Sequence, residues 1–489
     1  MINYISTRNS NISVKASEAV LRGQASDGGL FVPQNLEDLK IDYHRITNCD
    51  DFKSMAAAVW NLFLDDYGSG VITELVKKSY EGKFSSEKVT PLVKVNGAYV
   101  LELYHGPTSA FKDVALQALP NLLTKARSMN GVTDEIMILT ATSGDTGSAA
   151  LSGFSGVDGT SIVVFYPDGG ISETQRLQMV TDAGKNTSAC AIRGNFDDAQ
   201  NGVKKIFREM PRPAEGISLS SANSINIGRL VPQIVYYFSA YRQLLDMGSI
   251  KDGDLVDFVV PTGNFGDIMA GFFARCMGLP VRRLVCASNK NDVLTEFINT
   301  GHYNRIREFH KTTSPSMDIL ISSNLERLLY YICGEENTAS YMKQLEETGE
   351  YQISDAELKA IQDVFSAACA TDAEGAAAIK DVFESENYLM DTHTSIAWSC
   401  LDKYERKEGV PSVVLSTASP YKFCASVLSA LGLEVSDSDR KNMEVCHEYT
   451  KAEIPAGLAD IWDKEILHND LINPKEMMSY VVEKSMKSR

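Results

Sequence analysis

No apolar stretch in this 489-residue sequence approaches the length that spans a bilayer. The opening MINYISTRNSNISVK has neither the charged start nor the apolar run of a secretion signal. Nine cysteines are scattered from Cys49 to Cys446 without a C-x-x-C pair, and they lack the regular density of a secreted disulfide framework. Reduced thiols in a cytoplasmic protein are expected. Positive charge is in deficit: 47 Lys and Arg stand against 64 Asp and Glu, a formal charge of −17. Such a surface repels phosphodiester backbones and anionic lipid, which argues against nucleic acid and membrane as partners. It leaves room for a local basic pocket that takes a small anion. Internal repeats, low-complexity tracts and long linkers are also missing, and no metal site is expected.

Apolar residues, by contrast, make up 44% of the chain. That is more than one simple core requires, so two or three domains are expected. Several segments follow one pattern: a short apolar run, a turn rich in Gly, Ser, Thr or Asn, then a helix-like stretch. EIMILT (135–140) leads into ATSGDTGSAALSGF, and DLVDFVV, ending at Val260, leads into PTGNFGDIMAGFFARCMG. SIVVFYP from Ser161, VRRLVCAS from Val281 and PSVVLSTAS from Pro411 are further runs of this kind. Val- and Ile-rich runs alternating with helical stretches predict buried parallel strands covered by helices on both faces, a layered α/β fold. We divide the chain into an N-terminal, mainly helical subdomain (1–92), an α/β region (93–425) with a smaller α/β domain at about 113–230, and a C-terminal segment of solvated helices (426–489) packing on it. Helices are predicted in FKSMAAAVWNLFLDDYG, ITELVKKSYEGKF and ISDAELKAIQDVFSAACA; in the last, Ser354 and Glu357 form a capping box.

Two glycine-rich turns sit where an open α/β sheet receives its ligand. GNFGD (263–267) follows a strand and opens a helix. Its glycines let the backbone close around a ligand, and the amides of a helix start favour an anion. It is neither the six-position G-x-G-x-x-G fingerprint nor a Walker loop, so it reads as a phosphate cradle or as an ordinary tight turn. TSGDTG (142–147) has the same setting, and Asp145 there either accepts a hydrogen bond from a ligand or caps the helix. In HGPTSAFKD (105–113), Lys112 is either a surface residue with an ion-pair partner or an amine desolvated by Ala110 and Phe111. Desolvation would lower its pKa and make it nucleophilic.

HGPTSAFKD, ATSGDTG, SANSINIGR, PTGNFGD and LSTASPYKF, in that order, resemble threonine synthase, a family of fold type II pyridoxal-phosphate (PLP) enzymes. YISTRNS and SDGGLFVP at the start, and DTHTS near Asp391, extend the resemblance over nearly the whole chain to about Phe423. It implies a tryptophan synthase β-like fold, α/β in class, with two α/β domains beside the N-terminal subdomain, and PLP as cofactor. The implied reaction converts O-phospho-L-homoserine and water to L-threonine and phosphate. By this resemblance Lys112 holds PLP as a Schiff base and later shuttles protons. Residues Gly263, Asn264, Phe265, Gly266 and Asp267 hold the cofactor phosphate. Asp145 stands where fold type II enzymes usually place an asparagine facing the pyridine 3′-oxygen, so its carboxylate needs a proton or an oppositely charged partner. Thr417, in preference to Ser416, meets the pyridine nitrogen with a neutral hydroxyl.

Substrate contacts carried over in the same way are Thr146, Asn223, Ser224 and Arg229 for the phosphate, and Thr142 and Ser143 for the carboxylate or phosphate. Arg229 offers a charge-assisted fork suited to a phosphate dianion, or else forms a structural salt bridge. His105 either hydrogen-bonds near the cofactor or is a packed histidine. The family commonly has a histidine where this chain has Ser419, which cannot supply the same cationic donor. A phospho-lyase, a serine/threonine dehydratase and a non-catalytic phosphate- or nucleotide-binding α/β protein are the alternatives. A monomer or a homodimer is expected.

Overall fold

The computed structural model describes residues 2–487. Its frame is two parallel sheets. The larger has six strands in the order Phe365–Cys369, Val281–Ser288, Val256–Pro261, Ser412–Ser416, Ala98–Glu102 and Leu92–Val95. Neighbours run parallel except for the last pair, an antiparallel hairpin. Asn96 and Gly97 turn that hairpin with φ of 39° and 75°, the left-handed conformations a two-residue turn needs to match strand twist. The smaller sheet has five parallel strands: Asp470–Ile472, Thr187–Ile192, Thr160–Pro167, Glu135–Ala141 and Ile217–Ser220.

Thr160–Pro167 and Val256–Pro261 are buried at every position. Helices cover both faces of each sheet, and the continuous apolar runs in the sequence are the consequence. Helix Ile227–Asp246 is buried along most of its length, with helices Phe52–Phe63 and Gly266–Cys276 packed on it. Trp60 and Phe63 of the N-terminal region and Phe273 beyond the second glycine turn belong to one hydrophobic core. The N-terminal segment therefore buttresses the element that carries the turn at 263–267. Among the described residues no helix is long and apolar enough to cross a membrane.

The first ninety residues are mainly helical, as expected, and add a small antiparallel sheet of Ser13–Val14, Tyr4–Ser6 and Phe31–Pro33 ahead of helices Phe52–Phe63 and Ser69–Tyr80. Two expectations need correction. ISDAELKAIQDVFSAACA is not one helix. Ser354 caps it and Glu357 completes the box, but the helix ends at Gln362, and Phe365–Cys369 becomes the edge strand of the large sheet. A run as short as FSAAC has no periodicity that separates strand from helix, and the open sheet edge decides it. The C-terminal region is likewise not helical throughout. Asp470–Ile472 pairs with Thr187–Ile192 and completes the small sheet, and helix Met477–Lys487 packs against Phe196–Glu209.

Candidate active site

The two glycine turns cap strands of different sheets. After strand Glu135–Ala141 the chain turns at Gly144, whose φ is 132° and whose place for a Cβ lies 2.3 Å from the Gln175 side chain; no other residue fits there. Thr142 Oγ1 accepts the amides of Gly144 (3.0 Å) and Gly147 (2.9 Å). Its oxygen therefore shapes the turn, leaving the hydroxyl proton for a ligand. Ser143 and Thr146 are half-buried at the mouth of this turn. Asp145 opens helix Asp145–Phe154 with its carboxylate buried.

After strand Val256–Pro261 the second turn places Phe265 at φ 61° ahead of helix Gly266–Cys276. Ser322 Oγ donates to the carbonyl of Gly263 at 2.7 Å, and Asn324 donates through its amide and side chain to that of Asn264 at 3.0 and 2.9 Å. Because a trans peptide points its N–H opposite its C=O, the amides of Asn264 and Phe265 face away from this clamp. Together with the unpaired first-turn amides of the helix they form an anion cradle. A Cβ at Gly263 would lie 2.6 Å from the Ser316 carbonyl, so this glycine admits the 314–318 segment. Asp267 does not extend the cradle with its side chain. Its carboxyl accepts from Tyr236 (2.5 Å) and Tyr237 (2.9 Å), and burial pushes its pKa up to about 6 against those two hydrogen bonds.

Lys112 begins the short helix Lys112–Leu116 and is only 8% exposed. Segments 109–111 and 417–419 are zipped together: Phe111 N–H donates to the Thr417 carbonyl (2.8 Å) and Ser419 N–H to the Ser109 carbonyl (3.0 Å). This seats Lys112 beside Thr417 at the end of strand Ser412–Ser416. Lys112 Nζ lies 3.3 Å from Asp145 Oδ2, 3.2 Å from Ser316 Oγ and 5.0 Å from the Phe111 ring centroid. Burial lowers its pKa; Asp145 opposes that shift, and Lys422 and Arg229 reinforce it. The opposite charge that Asp145 needs is present twice, because Lys422 Nζ sits 3.0 Å from its Oδ1. Burial alone would raise the Asp145 pKa, but Lys422, then Lys112, overcome it and hold the carboxyl well below its usual range. Gln175 Nε2 adds a hydrogen bond to Oδ1 at 3.0 Å.

Arg229 is 3% exposed and donates through Nη1 to the Ala222 carbonyl at 2.8 Å. Its Nε has no partner, and no carboxylate among the described residues pairs with it. Burial alone lowers its pKa to about 10. A buried guanidinium without a counterion is a site for an anion. Ser224 lies beside the second glycine turn, its Cβ 3.9 Å from where a Cβ at Gly266 would be. Asn223 is exposed and accepts from the Ile225 amide (3.4 Å).

Ser416 Oγ is engaged with Thr394 Oγ1 (2.9 Å), whereas no hydrogen bond of the Thr417 hydroxyl is present among the described residues. Ser419 accepts from the Tyr421 amide (3.3 Å) and caps the turn Pro420–Phe423. His105 stands apart, held by Glu102 (2.8 Å) and Ser85 (3.0 Å) as a packing histidine. Sequence reasoning missed Lys422, Ser316, Gln175 and His393. Lys422 lay inside the quoted LSTASPYKF, so its signal was on view. Ser316 carried none; its position depends on His393 Nε2, which accepts the Ser316 amide (3.1 Å) while Nδ1 faces Asp391 (2.7 Å).

The residues present fit PLP: a desolvated amine, an amide cradle whose Gly263 position has no room for a Cβ, and an unengaged hydroxyl at Thr417. Comparison with known proteins agrees. Family models described as "Threonine synthase N terminus", "Pyridoxal-phosphate dependent enzyme" and "Threonine synthase, C-terminal" match residues 3–80, 84–417 and 394–481. A threonine synthase of Pseudomonas aeruginosa is 37% identical, with 98% of each chain covered. A PLP-bound threonine synthase crystal structure from Brucella melitensis superposes with TM-score 0.89 at 37% identity, covering 99% of this chain and 100% of that one. Human "Threonine synthase-like 1" is also 37% identical over 88% of this chain, but the match spans only 60% of that longer protein.

Proposed function

Because this chain belongs to the threonine synthase family of PLP-dependent enzymes, we propose that it converts O-phospho-L-homoserine and water to L-threonine and phosphate. The observation that carries this reading is Arg229. A guanidinium buried without a carboxylate partner and with its Nε unpaired suits a substrate that brings its own phosphate.

PLP, when bound, supplies an electron sink that makes the protons near its imine acidic. The protein's groups do the rest. Burial, reinforced by Lys422 and Arg229, lowers the pKa of Lys112, which favours the nucleophilic amine that would hold the cofactor covalently and then take and return protons along the substrate chain. Amides at 263–266 would bind the cofactor phosphate, the Thr417 hydroxyl would be available to the pyridine nitrogen, and the Asp145 carboxylate to the 3′-oxygen. Thr146, Ser143 and the hydroxyl proton of Thr142 orient the substrate from the first turn, and Asn223 and Ser224 support Arg229 at the phosphate. Nine free thiols fit a cytoplasmic setting.

The purified protein should absorb above roughly 400 nm, and borohydride should abolish the band, as for a conjugated lysine imine. With O-phosphohomoserine, phosphate and threonine should appear in equal amounts. Arg229→Met should lower kcat/KM about 10- to 100-fold, the loss of one or two charge-assisted hydrogen bonds, while keeping the absorbance. A main product of 2-oxobutanoate would instead identify a phospho-lyase or dehydratase.

A further inference from the structure

Lys422 is wholly buried, and its role is not explained by cofactor seating or by substrate capture. Its side chain is 0% exposed. The ammonium donates to the Thr108 carbonyl (2.8 Å) and meets Asp145 Oδ1 (3.0 Å), while the other oxygen of the same carboxylate meets Lys112 (3.3 Å). Two buried lysines thus share one carboxylate. A one-to-one pair of Lys112 with Asp145 would hold the ammonium form of Lys112, because an opposite charge at this distance favours ionisation. With Lys422 on the same carboxylate, Asp145 is already neutralised, and its pull on Lys112 is divided.

From this arrangement we infer that Lys422 is a positioning residue that keeps the Lys112 amine deprotonated and reactive by occupying the carboxylate they share. The surroundings of Lys112 agree. Asp145 faces it from helix Asp145–Phe154, Lys422 from the turn Pro420–Phe423 and Arg229 from helix Ile227–Asp246. Ser316 supplies a neutral hydroxyl from the 314–318 loop, behind which stands His393 of helix Thr392–Ser399. Asp113, on its own short helix, is turned to Thr108 (2.8 and 2.7 Å) and makes no ion pair with the amine among the described residues; burial pushes its pKa up to about 6. Asp145 is the one strongly ionised carboxylate in direct contact with the amine, and Lys422 is the group that divides it.

The inference rests on Lys112 being the cofactor lysine, and it is tested on the full chain stripped of aldehyde. Pyridoxal phosphate is added across a pH series, the imine is trapped with borohydride, and labelling of Lys112 is followed by mass spectrometry. Lys422→Gln keeps a donor but removes the charge. The pH at which the trapping rate is half-maximal should rise by about one unit, since Lys112 then competes alone for Asp145, and Lys422→Arg should restore it. If Lys422→Gln does not fold, Lys422→Met carries the same expectation without a polar group to bury. An unmoved half-rate pH in a folded variant overturns the inference, even if stability or turnover has dropped. Failure of the unsubstituted chain to label Lys112 at any pH removes the functional reading itself, and this inference with it.

Discussion

Asp145 and Asp267 occupy the same place in the same local design. Each lies in the first turn of a helix that starts from a glycine turn at the head of a parallel strand, and each is buried. Helix starts favour a carboxylate in both cases. Their other neighbours are opposites. Asp145 is met by two lysine side chains and held strongly ionised. Asp267 is met by two tyrosine hydroxyls, and burial lifts it to about 6. One carboxyl is a fixed charge in the reacting centre; the other is a brace under the phosphate cradle that takes up a proton far more readily. Local sequence pattern sets where a side chain stands, and long-range partners set its protonation state.

The same substitution at both sites should give opposite results. Asp145→Asn leaves the buried Lys422 ammonium without its counterion, and should cost about 3–5 kcal/mol of stability at pH 7, the usual penalty for breaking a buried pair. Because the folded-state pKa is depressed, the wild-type advantage is present above the ordinary carboxylate range and fades as pH falls below about 4. Thermal melts at pH 7 and pH 3.5 check it. Asp267→Asn should stabilise by about 1–3 kcal/mol at pH 8, since ionising a carboxyl with a raised pKa works against the fold. Its penalty is absent below about pH 4, grows between 4 and 6 and is complete above, so the two melting curves should converge at pH 4. The smallest effect belongs to Tyr236→Phe. Losing one hydroxyl from Asp267 should cost about 1 kcal/mol, more at pH 8 than at pH 5, because the bond serves the ionised form. Equal losses at both pH values would mean that the hydroxyl only packs.

Much of this was legible before the structure. The runs EIMILT, SIVVFYP, VRRLVCAS and PSVVLSTAS became strands because burial on both faces demands continuous apolar sequence. Ser354 with Glu357 formed the expected capping box. Ala110 and Phe111 left Lys112 either a surface residue or a desolvated amine, and the family motifs together made it a candidate amine; it is buried, in contact with Asp145 and Ser316. What could not be read were contacts made by topology. Nothing near Asp145 announces Lys422, 277 positions away in the chain. Nothing in SPSMD announces that Ser316 reaches the amine. FSAAC and DLI became strands because each found an open sheet edge, a fact about the neighbour rather than the segment.

Strand Asp470–Ile472 also bears on how the chain is made. It covers the Cys190–Ile192 part of the outer edge of Thr187–Ile192, so a nascent polypeptide halted at residue 460 would present those three residues with their outward-facing backbone groups unpaired. Such an apolar edge is a template on which other chains assemble. During synthesis the small sheet stays open until its last strand leaves the ribosome, almost three hundred residues after its neighbour. Premature termination in that interval would yield an aggregating fragment rather than a slightly shorter enzyme.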